Sequence, residues 1–134
     1  MSIEFARKMS LAYNLSCKSL CQELKLPQTA FDILMFLANN PNYKTASDIV
    51  EIRKIKANLV SVNVDRLVQE GYLQRQAVEG DRRKTQPVIE KGRGLQQNFM
   101  ERLLFNMDDN KKNELKEIIH IMEQNLDTIL KGDK

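Results

Sequence analysis

Between Asn58 and Ile89 the chain changes its hydrophobic period, and this change limits the available folds more than any other feature. From Asn58 to Glu70, Val60, Val64 and Leu67 recur at steps of three and four, with Leu59 and Val68 on the flanks, as in a helix with one buried stripe. Gly71 follows at the position where a left-handed helix cap is favoured. Tyr72 to Val78 then alternates, Glu79-Gly80-Asp81 is a turn signal, and Arg82 to Ile89 reads as a return strand. Pro87 lacks a ladder donor, so that strand belongs at an edge. The expectation is a helix running directly into a small β-hairpin with a charged tip.

The rest of the chain is read as helix. Ile3 to Leu24 carries Phe5, Met9, Ala12, Leu15, Leu20 and Leu24 at roughly helical spacing, and Leu26-Pro27 interrupts it. Gln28 to Asn39 is apolar around much of its circumference, which predicts a central, buried helix. Asn39-Asn40-Pro41-Asn42 is a turn. Thr45-Ala46-Ser47-Asp48 has the form of a capping box, opening a short helix to about Arg53. Two helices close the chain, one from about Lys91 to Phe105 and one capped by Asp108 and running to about Lys131. The fold class is therefore mainly α with a small β-hairpin. A winged helix-turn-helix over about residues 28–90 is flanked by helical segments, about 1–26 and 91–134.

Composition excludes several classes. No stretch approaches the roughly 18 apolar residues of a membrane span, and the N-terminus, with Glu4, Arg7 and Lys8, does not read as a signal peptide. A cytoplasmic location is expected. Cys17 and Cys21 lie one helical turn apart, a poor geometry for a disulfide. The only histidine, His120, is remote from them in sequence, so neither a metal site nor a cofactor is expected. No nucleophile elbow, phosphate loop or acid–base pair marks the chain as an enzyme.

The net charge is only +3, but from Lys44 to Arg93 there are 11 Lys and Arg against 7 Asp and Glu. A local cationic excess on a helix-turn-helix suits phosphate contacts. The second helix of such a motif can enter the major groove of double-stranded DNA, and hairpin-tip arginines can enter the negative potential of the minor groove. Lys54, Lys56, Asn58 and Ser61 are the candidates on and before the helix, and Arg75, Arg82, Arg83 and Lys84 those on the hairpin. In the last helix Leu115, Ile118, Ile119, Met122, Leu126 and Ile129 form a long amphipathic stripe. Together with Ile3 and Phe5 they are the expected homodimer contacts.

The stretch VSVNVDRLVQEGYLQRQAVEGDRRK resembles the signature of the MarR (multiple-antibiotic-resistance regulator) family. The matching residues are Asp65-Arg66-Leu67 with Gly71, then Leu73-Gln74-Arg75, then Asp81-Arg82-Arg83, followed by Val88-Ile89-Glu90-Lys91-Gly92. The likeness covers essentially the whole chain. It implies a dimeric transcription regulator whose terminal helices build the dimer and in which Asp81 orients a wing arginine. It also implies a repressor bound to a pseudo-palindromic operator and released by a small-molecule effector held between the two lobes. The chain departs from the family where bases would be read, with Lys56, Ala57, Asn58 and Leu59 at the start of the recognition helix and Val62 in place of an arginine.

Three other readings compete. A winged helix can serve protein contacts, and a regulator can lack a ligand. Cys17 and Cys21 could sense oxidants, but that chemistry needs an accessible thiol of lowered pKa, and inert buried cysteines are the default. Met9, Met35 and Met107 could line an adaptable pocket or simply fill the core.

Overall fold

The computed structural model describes residues 2–73 and 82–132. Six helices follow one another: α1 (Ile3–Leu24), α2 (Gln28–Asn39), α3 (Ala46–Arg53), α4 (Ala57–Gln69), α5 (Arg82–Leu103) and α6 (Asp109–Leu130). They divide into two compact units, Met1–Phe99 and Met100–Lys134.

In the first unit α2 is the central helix, as its broad apolar face predicts. Ala30, Phe31, Ile33, Leu34, Met35 and Phe36 are all buried. On one side Ile33 and Leu34 join Ile49 of α3, Val60 and Leu67 of α4, and Tyr72, Leu73 and Val88 in the main core. On the other side Phe31 and Met35 meet Cys17 and Cys21 of α1, with Tyr13, Leu20, Leu24 and Leu95 around them. Each large aliphatic side chain buried here contributes about 1.5–3 kcal/mol of transfer free energy. The buried side of α1 is thus Tyr13, Cys17, Leu20, Cys21 and Leu24, whereas Leu15, expected on that side, is exposed.

Local signals place the helix ends. Thr45 Oγ1 accepts from the Asp48 amide at 3.0 Å, and the Asp48 carboxylate accepts from the Thr45 and Lys44 amides. The capping box is complete, and the Thr45 amide bond leads the effects that hold the Asp48 carboxyl below its usual range. Gly71 is left-handed (φ +85°), with its amide bonded to Val68 O and the Tyr72 amide to Leu67 O. This is the paired 5→2 and 6→1 closure of a Schellman motif.

The expected return strand is the main correction. Arg82 to Ile89 form the first turns of α5, which begins nine residues before the expected start at Lys91. Among the described residues there is no strand; residues 74–81, the body and tip of the expected hairpin, lie outside them. The reason is the period of burial. Thr85, Val88 and Gly92 are buried, and Leu95 and Phe99 half-buried, at steps of three and four. Pro87 lies on the exposed side of this helix.

Gly92 explains how closely α5 approaches α2. A Cβ at Gly92 would lie 2.5 Å from Met35 Sδ and 3.3 Å from Phe31 Cζ, whereas one at Gly94 would meet nothing within 4 Å. A run of polar side chains also ties α5 to its neighbours. Arg93 Nε donates to Asn39 Oδ1 (3.1 Å), Asn39 Nδ2 to Gln96 Oε1 (3.0 Å), and Gln96 Nε2 to the Tyr13 hydroxyl (2.9 Å). Tyr13 packs edge-on against Phe99. Lys91 pairs with Glu23 of α1 at 3.0 Å.

In the second unit, Asn106 is left-handed (φ 69°) and Asp108 caps α6, its carboxylate accepting from the Lys111 amide at 2.9 Å. No residue of α6 is buried. Ile118, Ile119, Met122, Leu126 and Ile129 are exposed and Leu115 is half-exposed, so the predicted stripe is present as an uncovered face.

Candidate nucleic-acid interface

Helices α3 and α4 are joined by Lys54, Ile55 and Lys56, the three- to four-residue link of a helix-turn-helix. Lys54 makes the turn by adopting a left-handed conformation (φ 54°), and Ile55 packs on the main core. Lys56 sits at the N-cap of α4 without a side-chain cap bond. Both lysines are exposed beside the first turn of α4, where unpaired amides and the helix dipole favour an anion.

The inward face of α4 is Val60, Asn63 and Leu67. Asn63, polar but buried, donates Nδ2 to Leu59 O at 2.8 Å and is turned away from solvent. The outward face carries Asn58 and Ser61, as expected, and also Leu59 and Val62. Sequence reasoning had placed Leu59 on the flank of the buried stripe. Its offset of one residue from Val60 moves it about 100° around the helix, enough to leave it half in solvent.

Arg66 has a structural position. Arg66 Nη2 donates to Lys25 O at 2.8 Å, at the left-handed C-cap of α1, and Nε pairs with Glu70 at 3.4 Å. The one arginine of the helix therefore fastens α4 to α1.

Of the hairpin candidates, Arg75 and Asp81 lie outside the described residues, and Arg82 and Arg83 are the opening residues of α5. Lys84 is exposed, but its ammonium is engaged: it donates to Glu70 O at the end of α4 and lies over the Tyr72 ring, 4.8 Å from the centroid. Thr85 Oγ1 donates to Tyr72 O at 3.3 Å. These contacts clasp the end of α4 to the start of α5. No sequence motif signalled them, because they depend on where α5 begins.

Along α1 lies an open groove of about 580 Å³, with Leu11, Leu15, Cys21 and Leu26 on its walls and Lys18 and Lys25 among its lining residues. Cys17 and Cys21 are free thiols. Burial raises both pKa values, that of Cys21 to about 11, opposite to the shift a reactive thiolate requires. Met35 belongs to the core beside these thiols. Among the described residues, no three His, Cys, Asp or Glu side chains are grouped to hold a metal ion, and no helix is long and apolar enough to cross a membrane.

Residues 24–84 match the model of the MarR family. The fold is similar to that of a transcriptional regulator from Thermotoga maritima known from its crystal structure (TM-score 0.62, 24% identity, 91% of this chain and 94% of that one). No curated protein sequence matches.

Proposed function

We propose that the chain, whose residues 24–84 match the model of the MarR family, is a homodimeric, non-enzymatic transcription regulator that inserts α4 into the major groove of double-stranded DNA. The observation that carries this reading is the outward face of α4, with Asn58 and Ser61 exposed beside Lys54 and Lys56 at the helix N-terminus. Lysines at that point meet phosphates, and the helix that follows them is held by α2, α3 and the Arg66 bond to α1, so it presents a fixed register. Arg82 and Arg83 enter the adjacent minor groove, Asp81 orients one of them, and Arg75 contacts the backbone.

The dimer is built from the two ends of the chain. Ile3 and Phe5 near one end of the chain, and Ile118, Ile119, Met122, Leu126 and Ile129 near the other, are all exposed, and Leu115 partly so; these are apolar side chains that a second copy would cover. Two-fold symmetry then sets two recognition helices on a pseudo-palindromic operator. The mode is repression, relieved by a small-molecule effector that changes the separation of those helices. The protein acts in the cytoplasm.

The test is binding to duplex DNA from the protein's own promoter region, titrated with salt. Affinity should fall linearly on a log–log scale, by about 0.9 per phosphate contacted. Arg82→Ala with Arg83→Ala should weaken binding by about tenfold or more, and Ile119→Asp with Leu126→Asp should give a monomer in sedimentation. Binding that is absent, or indifferent to salt, would sink the DNA reading.

A further inference from the structure

The outward face of α4 carries two large aliphatic side chains that stand in solvent: Val62 is 64% and Leu59 46% exposed. Three residues apart, they share one side of the helix, and Asn58 stands one turn before Val62 on that side. Such residues on a helix flanked by exposed lysines call for an occupant with both phosphates and apolar groups. A DNA major groove offers both, because thymine alone among the four bases presents a methyl group there.

The cations of α4 narrow the choice of base. Guanine is read by an arginine or lysine fork on O6 and N7. The one cationic side chain within α4, Arg66, is bonded to Lys25 O and paired with Glu70. The helix thus brings no guanidinium to its outward face. What it brings is Asn58, the residue type that pairs with adenine N6 and N7, and the two aliphatic groups.

We propose that α4 reads thymine methyl groups with Leu59 and Val62 and an adjacent adenine with Asn58, so that the core of each half-site is A·T-rich. The proposal rests on the DNA reading above and assigns its specificity. Lys54 and Lys56 supply affinity without sequence preference, and the aliphatic pair supplies discrimination.

The experiment selects duplexes from a random pool with the full chain. Each core thymidine of the selected site is then replaced by deoxyuridine, which removes only the C5-methyl group. Each contacted methyl should account for about fourfold in affinity, the change that corresponds to about 0.8 kcal/mol for one buried methyl-sized group. Val62→Ala should lose a similar factor on the thymidine duplex and lose its response to deoxyuridine at one position; Leu59→Ala should do so at another. A selected core of G·C pairs, or an affinity unchanged by deoxyuridine throughout the core, would overturn the assignment while leaving DNA binding intact. Failure to select any duplex would instead remove the DNA reading and this inference with it. The deoxyuridine series uses the unaltered protein, so it is decisive even if a variant folds poorly.

Discussion

Gly92 and Gly94 form a matched pair for testing the packing of α5 on α2. Both lie within one helix, so replacing either by alanine gains about the same backbone term, roughly 0.8–1 kcal/mol. They differ only in what the new methyl group meets. At Gly94 there is open space, and Gly94→Ala should stabilise by that full amount, raising Tm by about 3–5 °C for a chain of this size. At Gly92 the methyl would sit 2.5 Å from Met35 Sδ and 2.8 Å from Met35 Cε. A methionine in open space would swing aside, but Met35 is buried against Phe31, Cys17 and Cys21. Overpacking of this kind costs about 1–3 kcal/mol, so Gly92→Ala should fall below Gly94→Ala by that amount, about 3–12 °C in Tm. Helical circular dichroism against temperature, at one fixed protein concentration, measures the gap. Adding Met35→Ala to Gly92→Ala should close part of it, as a double-mutant cycle would show. Equal stabilisation by the two alanines would refute the close approach.

Three further outcomes rest on the contacts described. Burial raises the pKa of Cys17, of Cys21 to about 11 and of Tyr13 to about 12. The unfolded chain, with thiols near 9.0, then loses protons first as pH rises, so stability holds below about pH 9 and declines from there toward 11. The urea midpoint should be lower at pH 10 than at pH 7, and at pH 7 iodoacetamide should leave both thiols of the folded protein intact; rapid labelling would revive an oxidant-sensing role. If Lys84 acts by clasping α4 to α5, Lys84→Met should weaken DNA binding without changing its salt slope, and Lys84→Arg should restore it; a slope reduced by about 0.9 would instead mark it as a phosphate contact.

Helices α1 to α4 and α6 were legible because each carries its own punctuation: Pro27, the Thr45–Asp48 box, Gly71 and Asp108. The start of α5 was not. Among the side chains described in its first turns only Thr85 and Val88 are buried, one of them polar, and Pro87 stands between them, so no apolar period of its own marks the segment. Gly92 was read only as part of a motif, since the tight contact that requires it lies on α2, far away in sequence. At the interface, the exposure of Asn58 and Ser61 was legible from their offset to the Val60 stripe. The engagement of Arg66 and Lys84 was not, because long side chains find partners that only tertiary structure supplies.

The side-chain run from α5 to α1 also has a direction. Arg93 can only donate, so Asn39 must offer it oxygen and turn its amide nitrogen toward Gln96. Gln96 is oriented in the same way, and its nitrogen meets the Tyr13 oxygen. The phenol oxygen is thereby the acceptor at the end of the row. One guanidinium on α5 thus sets the orientation of two amides and leaves the Tyr13 oxygen to accept. Reversing either amide would put like against like along the row, so α1, α2 and α5 are held by a sequence of dipoles that has only one polarity.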